Sequence, residues 1–238
     1  MRIGVDVGGT NTDAVLLSGR NVLGAVKRPT SKDVSSGISE AITALISECA
    51  ITPDAIDAVM IGTTHFTNAF IQRRELVPVF AIRIGFPAGR GIPPFTAWPE
   101  DLKAVVRGGS AMVRGGFEFD GREISPLDEA AILAAIDEAR TAGIGQIAVS
   151  CIFSQLNPAH EARAAELIAR HAPGMEVSLS SEVGRVGLLE RENAAIMNAS
   201  LRPLAATITS AFRRALAELG IAAPFYISQN DGTLMSAD

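Results

Sequence analysis

Cysteine and histidine are scarce in this chain of 238 residues, and each shortage closes off a class of function. The two cysteines, Cys49 and Cys151, have neither metal-ligand nor redox spacing, as expected of a protein in a reducing cytoplasm. Of the three histidines, His65 has no second histidine or H-x-E partner nearby, so no metal site is expected there. His160 and His171 fall in helical patterns and are expected to face solvent. No apolar run approaches the length of about 18 residues that a membrane span needs. The opening "MRIGVDVGG" lacks the basic-then-apolar pattern of a signal peptide. Basic residues number 21 against 26 acidic ones, a net charge of −5, which disfavours a nucleic-acid face.

What is present is enough to bury a core: 47% of residues are apolar and 20% charged. The length suits one large domain or two small ones. The first 83 residues read as three strands ("RIGVDVG", "DAVLLSG", "NVLGAVKRP"), a helix ("DVSSGISEAITALISECA"), a strand ("IDAVMIG"), a short helix ("HFTNAFIQRREL") and a strand ("VPVFAIR"). That order predicts a ribonuclease H-like half-domain over residues 1–83. Residues 84–125 are rich in proline and glycine and then alternate apolar with polar residues. They are expected to form a loop and a small β-meander inserted into the α/β core. An α/β region follows over 126–182. It opens on the helix "SPLDEAAILAAIDEARTAG", with a serine cap and Gly143 at its end. Residues 183–238 hold a long helical stretch, with Pro203 as its expected break or kink, a strand "PFYISQ", and the polar turn "NDG".

Four stretches carry candidate chemistry. In "GVDVGGTNTDAVLL" a strand runs into two glycines, where packing is lost. Gly8 and Gly9 would let a phosphate approach backbone N–H groups. Thr10, Asn11 and Thr12 would add donors, and Asp6 and Asp13 are hard oxygen ligands suited to hydrated Mg2+. An ordinary Gly-Gly hairpin with a solvated acid explains the same letters. "GTTHFTNAFIQRR" follows a strand, where ligands of open α/β sheets bind, so Thr63, Thr64, Thr67 and Asn68 are candidate substrate contacts. A threonine helix cap is the alternative. "SSEVGRVGLLERENAAIMNASLRP" offers Glu182 at a strand end. Its helical Glu190, Asn193, Asn198 and Arg202 read mostly as surface polars. "SQNDGTLMS" offers Asn230, Asp231 and Gly232, or a simple turn.

In this order, the four stretches resemble the N-terminal part of the hydantoinase/oxoprolinase A-type subunit, a family similar to the actin-like and sugar-kinase ATPases. The resemblance spans nearly the whole chain and implies ATP-dependent hydrolysis of a cyclic amide or imide, such as 5-oxoproline or a hydantoin, through a phosphorylated intermediate. ATP and Mg2+ are the implied cofactors. Gly8, Gly9 and Thr10 would cradle phosphate, with Asn11 and Thr12 beside them, and Asp6 and Asp13 would hold the metal and act in catalysis. Thr63, Thr64, Thr67, Asn68, Glu182, Asn230, Asp231 and Gly232 would face the substrate. A B-type partner subunit is implied as well, and a homo-oligomer is compatible with the family. Family members carry a second D-x-G-G-T turn and the adenosine pocket further along; here the turn occurs once. The 238 residues are therefore expected to be a fragment, ending at the start of a truncated second ATPase domain, with weak ATP binding and little turnover. Two alternatives share the glycine turn: a small-molecule kinase, which leaves a stable phosphorylated product, and a non-catalytic binding module on the same fold.

Overall fold

The computed structural model describes residues 1–29, 34–229 and 233–236. Two compact units divide the chain. One comprises Met1–Gln72 with Leu204–Asp238, the other Arg73–Pro203.

In the first unit, β1 (Arg2–Val7), β2 (Asn11–Ser18) and β3 (Asn21–Pro29) form an antiparallel meander. Then come α1 (Val34–Glu48), β4 (Ala58–Thr63) and α2 (His65–Gln72). The chain returns to this unit in the C-terminal part of α7 (Leu188–Glu218), β9 (Phe225–Ser228) and β10 (Leu234–Ser236). The sheet order is β10-β9-β4-β1-β2-β3, with β4 parallel to both β1 and β9. Alternation drives the local structure. Ile3, Val5 and Val7 of β1 and Ala14 and Leu16 of β2 are buried on one face. Helix α1 packs on β2 and β3 with Ile38, Ile42 and Leu45 fully buried, roughly 1.5–3 kcal/mol of stabilisation for each.

In the second unit, β5 (Val79–Phe86), β6 (Arg107–Arg114), β7 (Gln146–Cys151) and β8 (Glu176–Leu179) make an all-parallel sheet in the order β6-β5-β7-β8. A short helix α3 (Glu100–Val106) precedes β6. Helices α4 (Glu129–Thr141) and α5 (Ala159–His171) cover the sheet, and α6 (Ser180–Val183) follows β8. The core joins Phe80, Ile82 and Ile84 to Ile147, Val149, Ile132, Ile136 and Ile168.

Three features differ from the sequence reading. Strand β5, expected to close the half-domain, pairs instead with β6 and β7, and β9 takes the place beside β4. Val79–Gly85 is buried residue after residue, as befits a central parallel strand covered on both faces. The expected β-meander is one strand, β6, parallel to β5, with a single bridge between Phe117 and Glu123. Residues 104–106 of that stretch are helical, in α3. Helix α4 is capped by Asp128, whose side chain accepts from the Ala131 N–H, rather than by Ser125. Gly143, with φ +69°, does stand just past its end. Pro203 lies inside α7 without ending it.

Candidate functional site

The candidate site of the first unit begins with strand alternation. Because Val5 and Val7 face the core, Asp6 stands on the opposite, exposed face of β1. Register then sets its neighbours. Asp6 lies opposite Asp13 on β2 and opposite Gly62 on β4, and Asp13 lies opposite Lys27 on β3. Gly62, Asp6, Asp13 and Lys27 thus form a row across four strands. The Lys27 ammonium is 3.3 Å from the Asp13 carboxylate. A Cβ at Gly62 would sit 3.3 Å from Asp6 Oδ1, so the glycine gives this carboxylate room.

Next along β1 comes the turn. The Gly8 N–H donates to the Asn11 carbonyl at 3.0 Å, and Gly9 and Thr10 are exposed. Neither glycine has a positive φ. A Cβ on Gly8 would lie 3.1 Å from the Asn11 oxygen, whereas one on Gly9 would meet nothing within 4 Å. Thr12 is fully buried on the core face with Ala14 and Leu16, away from the face that carries Asp13.

The second candidate stretch arrives at the same sheet edge. Parallel pairing puts Thr63 in register with Val7, and the Thr63 hydroxyl donates to the Val7 carbonyl at 3.4 Å. The Thr63 hydroxyl also receives the His65 backbone N–H and lies 2.6 Å from His65 Nδ1. Thr64 precedes α2: its carbonyl accepts from the Asn68 N–H, the first turn's backbone bond, and its hydroxyl accepts from the Asn68 side-chain amide at 3.4 Å. Thr67 is exposed on α2. Strand β9, parallel to β4, ends at Ser228, and Asn230, Asp231 and Gly232 lie outside the described residues. Glu182 belongs to the second unit and is exposed on α6.

Among the described residues, no group of three or more His, Cys, Asp or Glu side chains could hold a metal alone. Two carboxylates in register beside an exposed Gly-Gly turn are of the donor type that fits Mg2+, which binds through one or two carboxylates together with phosphates and water.

The second unit carries polar networks that the sequence reading missed. Arg83 and Glu192 are both almost fully buried and paired. Arg83 Nε donates to Glu192 Oε2 at 2.6 Å, its second nitrogen to Oε1, and its third to the Ile92 carbonyl. Ser150 completes the set by donating to Glu192 at 2.7 Å. A charged residue inside the apolar run "VFAIRIGF" was the available signal, because a buried charge requires a partner. Nearby in sequence, Arg191 donates to Ser154, Ser180 and the Cys151 carbonyl, while Glu161 accepts from Ser180 and Ser181. Burial, with the Glu161 charge adding to it, pushes the Cys151 thiol well above the ordinary thiol range.

His160 is buried rather than solvated. Its Nδ1 accepts from the Gly116 N–H at 3.0 Å, so Nε2 is left to donate to Glu123 at 2.7 Å. Three of the four helical polars also have structural partners. Asn193 accepts from the Trp98 indole N–H, Asn198 donates to Ser178, and Arg202 donates to the Val177 carbonyl; Glu190 is exposed.

The family model for the hydantoinase/oxoprolinase N-terminal region matches residues 2–172, and the chain belongs to that family. The alpha subunit of caprolactamase from Pseudomonas jessenii is 29% identical over 98% of this chain and 36% of its own length. The gamma subunit of acetophenone carboxylase from Aromatoleum aromaticum is 28% identical over 84% of this chain and 31% of its own. The crystal structure of the ATP-dependent caprolactamase from Pseudomonas jessenii superposes over the whole chain with a TM-score of 0.78 at 27% identity, covering 36% of that protein. Nucleotide-free acetone carboxylase matches with the same TM-score at 18% identity, covering 37% of its chain, a likeness of fold. The fold is the mixed α/β arrangement of an actin-like ATPase half-domain. The chain spans about a third of the length of the curated relatives it matches. No helix among the described residues is long and apolar enough to cross a membrane.

Proposed function

We propose that the first unit supplies the phosphate- and metal-binding half of an ATP site used to open a cyclic amide ring. One observation carries the reading. Gly9 has no positive φ and no neighbour within 4 Å of its missing Cβ, so the fold itself does not demand a glycine there. The space it leaves suits an approaching phosphate. In this reading the Gly8–Gly9–Thr10 backbone and the Thr10 and Asn11 side chains orient the phosphates. Asp6 and Asp13 hold Mg2+, with Lys27 positioning the Asp13 carboxylate. Thr63, in register with Val7, and Thr64, Thr67 and Asn68 just after it face the substrate, with Asn230, Asp231 and Gly232 as further substrate candidates; Glu182 is kept as a candidate of the second unit by itself. ATP would phosphorylate the unreactive lactam carbonyl oxygen and release ADP; water would add to the carbonyl carbon, the ring C–N bond would break to free the amine, and a second water would release phosphate from the resulting acyl phosphate, with bound Mg2+ supplying charge neutralisation. A partner subunit follows from the alpha-subunit relative.

Lactam-stimulated phosphate release from ATP, with the ring-opened amino acid as co-product, tests the reading. A stable phosphorylated product would replace it with a kinase. The acetophenone carboxylase relative favours a second reading, in which the same turn serves ATP-driven carboxylation. Bicarbonate-dependent turnover of a ketone, without lactam opening, would select it.

A further inference from the structure

An open sheet ends in two edge strands, whose outward N–H and C=O groups lack a neighbour. In the second unit the edges are β6 and β8. Strand β8 has only four residues. In the first unit β10 has three, and β3 carries Lys27, Arg28 and Pro29, the charges and proline that blunt an edge. Strand β6, "RGGSAMVR", is eight residues long, with no proline and no charge between Arg107 and Arg114. Its ladder with β5 is regular from Gly109 to Val113 and shifts register at either end. The strand's two ends are tied down: the Arg107 N–H donates to the Lys103 carbonyl, and the Arg114 carbonyl accepts from the Asp128 N–H. Among the described residues, nothing outside β5 bonds the backbone of Gly108–Val113.

We propose that this edge accepts an extended segment of another protein, acidic at both ends, as an added strand. Main-chain bonds to Gly109–Val113 supply the attraction, as in other cases of strand addition. The charges select the guest. Arg107 and Arg114 are both exposed, and neither side chain has an ion-pair or hydrogen-bond partner among the described residues. The acids of the preceding α3, Glu100 and Asp101, are already paired with Lys103 and Arg73. The two arginines bracket the open stretch instead of interrupting it, so they select among guests and leave the backbone between them accessible. A segment with a carboxylate at each end meets both cations, and opposite charges across a ladder are favourable. A second copy of this chain fits poorly. In-register pairing of β6 with itself, in either direction, sets arginine opposite arginine, which is destabilising. Strand addition at β6 is independent of the ring opening proposed for the first unit.

The experiment titrates the 238-residue protein into a dye-labelled peptide, Glu-Thr-Val-Thr-Val-Thr-Val-Glu, and follows its fluorescence anisotropy. The expected result is saturable binding that weakens as salt is raised. The same peptide with lysine at both ends should bind at least tenfold more weakly. So should one with proline at its fourth position, which removes an N–H from the ladder. Arg107→Glu combined with Arg114→Glu should reverse the order, favouring the lysine-ended peptide without moving the melting temperature. Arg107→Gln with Arg114→Gln serves if that variant misfolds, and should erase the discrimination between the two peptides. Hydrogen exchange should slow at amides within Gly108–Val113 when the acidic peptide binds, which charge pairing alone would not produce. Non-saturating binding, equal affinity for the acidic and lysine-ended peptides, wild-type preference in a folded variant, or protection confined to other strands would overturn the proposal. A dimer in sedimentation with Gly108–Val113 already protected would assign the edge to a second copy and overturn it as well.

Discussion

Asp6 and Asp13 face each other in register across β1 and β2, and only Asp13 has an ion-pair partner among the described residues, Lys27 at 3.3 Å. Like charges directly opposite on a sheet are destabilising. The pair is therefore held at a cost to the fold, which is understandable if a cation sits there in function. Asp6→Asn is expected to leave the free protein as stable or slightly more stable, by about 0.2–1 kcal/mol. It should also abolish any Mg2+-dependent rise in melting temperature. In the active protein it should lower ATP turnover by roughly two decades, about 3 kcal/mol. Melting curves with and without Mg2+ and nucleotide decide the matter; a mutant that keeps the wild-type Mg2+ response would remove Asp6 from the metal site.

Gly9→Ala separates a turn glycine from a ligand glycine. The added methyl meets no protein atom within 4 Å. The melting temperature should hold, while affinity for Mg·ATP falls at least tenfold. The methyl would occupy the space a phosphate needs, and backbone N–H groups are the donors it would block. Calorimetry on both proteins measures this. Equal affinities would return the turn to an ordinary hairpin.

Glu192→Gln tests the buried pair of the second unit. It leaves the Arg83 charge without its carboxylate, and breaking such a pair by removing one partner destabilises by about 3–5 kcal/mol. Replacing both residues with apolar ones of similar volume should lose less. Urea unfolding followed by Trp98 emission reads the second unit directly. A loss below about 1 kcal/mol for the single mutant would show that water or rearrangement rescues Arg83.

Cys151 predicts a pH dependence. Its thiol is raised in the folded protein, chiefly by burial, so the folded state keeps the proton where the unfolded chain releases it. Stability from this group is full below the unfolded value of about 8.5 and is lost as pH rises above it, at up to about 1.4 kcal/mol per pH unit. Denaturant titrations at pH 7.5 and 9.5 should show the loss, and Cys151→Ala should flatten it. An unchanged slope in that mutant would assign the loss to other groups.

Much of the fold was legible in local patterns. The apolar alternation of β1 and β2, the helical spacing of Ile38, Ile42 and Leu45, and the apolar run of β5 each declared an element, because period and burial are local properties. The "VVRGGSAMVRGGFEFDGREI" stretch misled for the same reason. Its alternation suits an antiparallel ribbon, yet β6 pairs parallel with β5, and α3 ahead of it carries no strong apolar period. His160 misled because helical spacing does not reveal that Phe117 and Glu123 close over it.

The sequence by itself determined the family, the glycine turn with its flanking acids, and the threonine segment after β4, because each is a run of neighbouring residues with its own chemistry. Tertiary structure alone decided what meets what. Parallel pairing of β1 with β4 brings Val7 and Thr63 to one edge, and register across β1, β2 and β3 lines Asp6 with Asp13 and Lys27. Partners separated by 109 residues, as Arg83 and Glu192 are, are joined only when a buried charge must find its counter-charge. Such pairings are non-local. Backbone register and burial select them, and neither is written in any one stretch of the chain.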